Sequence, residues 1–130
     1  MMDDVFLAVN GTLMRGLSLN KNMLEVQATF IKESKTSPHY RLWSINDQYP
    51  GMMRDEGNGQ AIEVEIWELS SEALVTILIN EPPGLCIGRV ELEGHENVFG
   101  VLAEPYIVEG QKEITNFGGW RKYQESKLET

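Results

Sequence analysis

The chain has 130 residues and a mass of 14.7 kDa, the length of one domain, and its 42% hydrophobic and 24% charged residues suffice for a real core, which argues against disorder. Eleven Lys and Arg against 20 Asp and Glu leave a net charge of −9, a field that repels phosphate backbones and anionic membranes, so neither nucleic acid nor a membrane surface is expected as a partner. A single cysteine, Cys86, excludes an intramolecular disulfide and a thiolate metal cluster and fits a reducing compartment.

Asp3 and Asp4 precede a short apolar run at the start of the chain, where a secretory leader needs a basic start and a longer apolar stretch. No run reaches the roughly 18 apolar residues of a membrane span, and a cytoplasmic location is expected. Val5 to Val9 is a compact apolar run that stops at Asn10-Gly11, which predicts a buried strand ending in a glycine turn. Ser18-Leu19-Asn20 predicts the N-cap of a short helix through Lys21 to Glu25. Ala28 to Glu33 and Tyr40 to Ile45 are predicted as adjacent strands, and Asp47 to Gly51 as a turn.

Ile62, Val64 and Ile66 alternate with Glu63, Glu65 and Trp67, the period of a strand with one buried face. Ser70 and Ser71 are N-cap candidates for a helix that runs to the Asn80 region and ends before Pro82 and Pro83. Ile87 to Leu92 and Val98 to Ala103 flank a polar segment and read as a hairpin. In the tail from Glu109 to Thr130, Ile114, Phe117, Trp120 and Tyr123 recur at helical intervals that Gly118 and Gly119 interrupt, which predicts a broken helix or irregular cover. The sum is an α+β fold: one domain over 1–130, a small mixed β-barrel with a few flanking helices.

Three segments could carry chemistry. The turn at Asn10 to Gly16 places backbone N–H groups at the end of a strand, a geometry that can hold an anionic oxygen and equally that of an ordinary turn. Glu81 follows Leu78-Ile79 and precedes two prolines, so its carboxylate sits at a rigid helix exit near apolar surface, where a raised pKa would suit a general base; position alone fits equally a solvated loop carboxylate, one of 20 acids in the chain. Gly118-Gly119-Trp120-Arg121 sets a tryptophan and an arginine beside a flexible pair; Trp120 and Arg121 are expected to border the same cavity, the alternative being Trp120 as a core anchor with Arg121 solvated. His39 and His95 lie in separate loops without metal-ligand spacing, no nucleophile elbow occurs, and no metal or cofactor is expected. Met52 and Met53 are either gap-filling core or a contact in a homodimer.

Asn10-Gly11-Thr12-Leu13-Met14-Arg15-Gly16 resembles the Tyr-Gly-Thr-Leu-x-x-Gly loop of the γ-glutamylcyclotransferase-like superfamily, and Glu81 to Arg89 has the spacing of its glutamate and following arginine. From Val5 to about Tyr123 the chain is similar to the C-terminal domain of allophanate hydrolase, in the same superfamily. The matching pieces are Leu19-Asn20, Tyr40-Arg41-Leu42, Pro50-Gly51, Ile62 through Glu68, Ile87-Gly88 and, most specific, Thr115 through Arg121. The 130 residues hold no amidase domain of the kind that carries allophanate hydrolysis, and a free-standing relative is expected.

The resemblance implies a barrel whose cavity is formed by the loop and the glutamate, with Gly11, Thr12 and Leu13 holding a small-molecule substrate and Glu81 as acid/base. In a cyclotransferase, the glutamate takes a proton from an α-amine, which attacks a γ-carbonyl and releases 5-oxoproline. The alternative implied by the closer resemblance is an auxiliary domain in urea or allophanate nitrogen metabolism, processing a carbamate product or partnering a separate amidase. A third is a non-catalytic ligand-binding module on the same fold. Asn10 stands where cyclotransferases carry tyrosine, and Leu13 where the allophanate hydrolase domain carries histidine.

Overall fold

The computed structural model describes residues 4–128; Met1 to Asp3, on which the leader reading partly rests, and Glu129 and Thr130 of the tail lie outside the described residues. In chain order the elements are β1 (Asp4–Val9), α1 (Asn20–Glu25), β2 (Thr29–Lys35), β3 (Tyr40–Ile45), β4 (Tyr49–Arg54), β5 (Glu63–Ser70), α2 (Ser71–Ile79), β6 (Leu85–Glu91), β7 (Asn97–Ala103), α3 (Pro105–Val108) and β8 (Lys112–Glu113). A 3-10 turn (Thr115–Phe117) and α4 (Trp120–Leu128) complete the chain.

The strands form two sheets, one of five in the order β2-β5-β1-β7-β6 and one of three in the order β4-β3-β8. The α+β class therefore stands, but the expected closed barrel is replaced by two sheets. Within the larger sheet β1 is central, antiparallel to β5 and parallel to β7. Flanked on both sides, β1 reads as a continuous apolar run, with Leu7, Ala8 and Val9 almost wholly buried.

Two expected placements differ. β2 and β3 are not neighbours: β2 pairs with β5, whereas β3 pairs with β4 and β8 in the other sheet. The expected turn at Asp47 to Gly51 is shorter, and β4 begins inside it at Tyr49. Asn46 and Asp47 make the reversal in the left-handed region, φ 52° and 59°, which short polar side chains tolerate. Pro50 then sits in a strand because β4 is an edge strand, where a missing N–H breaks no ladder bond.

Ser70 caps α2 as its spacing predicts, its hydroxyl accepting the Ala73 N–H at 3.1 Å. The N-cap of α1 falls within the expected Ser18-Leu19-Asn20 segment, at Leu19, but makes no side-chain cap bond. Asn20 is used elsewhere: its Nδ2 donates to the Leu13 carbonyl at 2.9 Å and ties α1 to the turn after β1.

The tail is a broken helix in the sense its pattern implies. Gly118 takes φ 78° to end the 3-10 turn, its carbonyl accepts the Glu63 N–H at 2.8 Å, and a Cβ on Gly119 would lie 2.9 Å from Glu63 Oε1. The two glycines thus let α4 dock against β5, and Trp120 and Tyr123 bury in the core.

Candidate functional site

After Val9 the chain leaves β1 and turns sharply. Asn10 is 4% exposed, and its Nδ2 donates to the Val101 carbonyl at 3.1 Å, fastening the end of β1 to β7. Gly11 follows where no side chain fits: a Cβ would lie 2.5 Å from Cδ of Pro50. The carbonyls of Gly11, Thr12 and Leu13 are all engaged. Gly11 accepts the Met14 N–H at 3.0 Å, Thr12 the Leu19 N–H at 3.0 Å, and Leu13 the Asn20 amide. The N–H groups of Gly11, Thr12 and Leu13 donate to no acceptor among the described residues. A half-buried turn with satisfied carbonyls and unsatisfied donors is a site for an acceptor-rich ligand.

Opposite this turn lies the exit of α2. The Glu81 N–H still bonds back to Leu78 at 3.1 Å, and Pro82 and Pro83 prevent further helix, so the side chain leaves from a stiff corner. Its carboxyl is half-buried without a hydrogen-bond or ion-pair partner among the described residues, and burial pushes its pKa up to about 7. Glu81 and residues 9–13 line one cavity of about 260 Å³, together with Ser18, Tyr49 and Pro50 among others. Tyr49 is raised above its usual pKa by burial and by the nearby charges of Glu81 and Tyr106. No Lys, Arg or His lines the cavity.

The structure thus brings Asn10, Gly11, Thr12, Leu13 and Glu81 together and separates Trp120 and Arg121 from them. Trp120 is 4% exposed in the core, its ring 5.7 Å from that of Tyr123. Arg121 lines a different cavity of about 470 Å³ with Met14, Glu63, Glu65 and Lys122. The expectation that both residues border the Glu81 cavity fails for a physical reason. The glycine pair serves to dock α4 on β5, which directs Arg121 to Glu65 rather than to the helix exit.

Sequence reasoning missed Tyr49, Pro50 and Glu65 as contributors. The pair Pro50-Gly51 was visible as a motif, but nothing local tells that the Pro50 ring packs under Gly11. Glu65 looked like an outward residue of an alternating strand, yet it is 2% exposed. Burial pushes its pKa up, but hydrogen bonds from the Arg15 N–H, Trp67 Nε1 and the Arg121 and Arg15 guanidinium groups outweigh that and hold it below the usual range.

Among the described residues no three His, Cys, Asp or Glu side chains are arranged to hold a metal, and no helix is long and apolar enough to cross a membrane. The Cys86 thiol is half-buried and pushed up by burial and by Glu104, which disfavours the thiolate. Met52 is core at 1% exposed.

Residues 5–125 match the family model described as allophanate hydrolase C-terminal domain. The chain belongs to that family. It is similar to the urea amidolyase of Saccharomyces cerevisiae, 34% identical over 126 residues covering 92% of this chain and 7% of that protein. The chain therefore spans about 7% of the length of the curated relatives it matches. Among solved structures it resembles c4763, a uropathogenic E. coli-specific protein, at 51% identity and a TM-score of 0.93, covering 95% of this chain and 98% of that one. It also resembles Kluyveromyces lactis allophanate hydrolase at 31% identity and a TM-score of 0.90, covering 96% of this chain and 22% of that one. A γ-glutamyl cyclotransferase, 9% identical with a TM-score of 0.53 over 85% of this chain and 70% of that one, shares the fold alone.

Proposed function

We propose that the cavity between Gly11–Leu13 and Glu81 is a small-molecule site in which Glu81 moves one proton, and that its substrate is an N-carboxylated amine or amide of the kind formed in urea and allophanate nitrogen chemistry. The observation that carries the reading is a carboxyl group with a pKa of about 7 sharing a cavity with three unsatisfied backbone donors. The substrate class follows from family membership and from the names of the relatives, a urea amidolyase and an allophanate hydrolase. A separate amidase would supply that substrate.

In this reading the amides of Gly11, Thr12 and Leu13 hold the carbonyl oxygen that the product retains. Neutral Glu81 donates its proton to the substrate nitrogen as the bond from that nitrogen to the departing carboxylate carbon breaks. The bonding pair stays on nitrogen, carbon dioxide leaves, and ionised Glu81 recovers a proton from water. A cavity without cationic side chains suits this step, since a nearby Lys or Arg would hold Glu81 ionised and stabilise the carboxylate that must depart.

A second reading is favoured by one observation: Leu13 occupies the position where the resemblance expects histidine, while Glu81 and the Gly-Thr-Leu turn are retained. It is cyclotransferase chemistry. Ionised Glu81 takes a proton from a γ-glutamyl α-ammonium, the amine attacks the γ-carbonyl, and the attacking nitrogen gives up a second proton as the lactam forms; the leaving nitrogen collects both and departs as an ammonium with 5-oxoproline as the other product.

The two readings have opposite pH signs. A general acid works in its protonated form, so carbon dioxide release falls as pH rises through about 7; a general base works ionised, so 5-oxoproline release rises through the same region. Mass spectrometry of both products from panels of N-carboxylated amides and γ-glutamyl amines, with wild type and Glu81→Gln, decides between them. Turnover that survives Glu81→Gln, or none from either panel, overturns the catalytic proposal and leaves a binding module.

A further inference from the structure

The turn that carries the three unsatisfied amides has no regular secondary structure of its own; besides its internal Met14–Gly11 bond and the bonds from Leu19 and Asn20, it is held at its two ends by β5 and α4. The turn begins where Val9 pairs across the sheet with Glu65 of β5. It ends at Arg15, and there the Glu65 side chain takes hold: Oε1 accepts the Arg15 N–H at 2.9 Å and Oε2 accepts Arg15 Nε at 3.1 Å. One residue of β5 therefore grips both ends of the turn, by backbone at the entry and by carboxylate at the exit.

Arg121 closes the arrangement from α4. Its Nη2 donates to Glu65 Oε2 at 3.0 Å and to the Arg15 carbonyl at 2.5 Å. The Arg15 peptide is thus held at its N–H by Glu65 and at its C=O by Arg121. The Arg15 guanidinium lies 3.7 Å over the Phe30 ring and pairs with Glu33, so it has support besides Glu65. Trp67 Nε1 takes a further place on Glu65 Oε1 at 3.1 Å. A buried carboxylate with four donors converging on it is held in one orientation, and breaking such a cluster is costly because a charge is left unpaired.

We infer that Glu65 and Arg121 are positioning residues for the candidate site: they clamp Arg15 and so set the directions of the Gly11, Thr12 and Leu13 N–H groups, without touching the substrate themselves. The inference rests on the reading that these amides hold the substrate. It also gives the Thr115 through Arg121 segment its physical role. Thr115 Oγ1 accepts the Leu42 N–H at 2.9 Å, Gly118 and Gly119 seat the chain on Glu63, and Trp120 anchors the helix so that the next side chain reaches Glu65.

The test uses ¹⁵N relaxation on the whole chain with Arg121→Ala, Arg121→Met, which keeps an apolar stem without donors, and Arg121→Lys. The Arg121 side chain is 35% exposed, so its removal leaves the core intact. The expected result is a fall in the Thr12 and Leu13 amide order parameters from about 0.85 to below about 0.6 in the Ala and Met variants, with the core strands unchanged and recovery in Arg121→Lys. With an active substrate, KM is expected to rise on the order of tenfold in the same variants while the pH midpoint of kcat set by Glu81 stays in place. An unaltered turn in a folded Arg121→Met protein overturns the clamp. A failure to turn over either substrate panel bears on the catalytic reading alone, since the order parameters need no substrate.

Discussion

Glu81 spends stability on its position. Its pKa is raised by burial, so the folded protein binds a proton that the unfolded chain has already lost between about pH 4.5 and 7, and stability falls as pH rises through that interval. Glu81→Gln removes the dependence. The variant is expected to gain up to about 3 kcal/mol over wild type above pH 7 and little below pH 4.5, read from denaturant unfolding at the two pH values. Gly11 makes an independent prediction. A methyl group there meets the Pro50 ring, so Gly11→Ala is expected to cost about 1–3 kcal/mol, and the penalty should shrink by at least about 0.5 kcal/mol in a Pro50→Ala background. Equal penalties in both backgrounds would show that Pro50 is not the obstacle.

At the scale of elements, α2 and α4 place the residues that matter. Ser70→Ala removes the N-terminal side-chain cap of α2 and is expected to cost about 1 kcal/mol in thermal unfolding, with no change in the Glu81 pH midpoint because Pro82 and Pro83 still hold the exit. Trp120→Ala empties the anchor of α4 and is expected to cost about 3–5 kcal/mol. Periodicity made most of these elements legible. β1, α1, β5, α2 and the β6–β7 hairpin lie close to where apolar spacing and caps put them, and the turn and Glu81 were legible through a local motif and two prolines. What could not be read was non-local. β4 was hidden because Tyr49-Pro50-Gly51 has turn composition and only its edge position makes a proline tolerable. The single buried face expected of β5 became two because α4 and the turn cover Glu65, and neighbours that far along the chain leave no trace in a two-residue alternation.

For the whole molecule, pH acts from both sides. Asp47 is held down to about 2, first by the Tyr123 hydroxyl and then by Lys127 and Ser44, and Asp55, Glu65, Glu91 and Glu113 are also lowered by their partners. Depressed carboxylates stabilise the fold above their ordinary pKa and lose that contribution as pH falls through their folded values. Glu81 works in the other direction. The melting temperature is therefore expected to peak between about pH 4.5 and 7, and Glu81→Gln should flatten the alkaline side of the curve while leaving the acid side as it was.

The clamp on the turn also sets an order of events. Arg121 and Arg15 are 106 residues apart in sequence, and their contact adds to the hold on a segment synthesised well before its partner. Until α4 has emerged, β1 can pair with its neighbours but its following turn lacks half of its grip. A nascent or truncated chain without α4 can hold much of its sheet and still lack the full set of contacts on this turn, so on the proposed reading the capacity to engage substrate follows the emergence of α4.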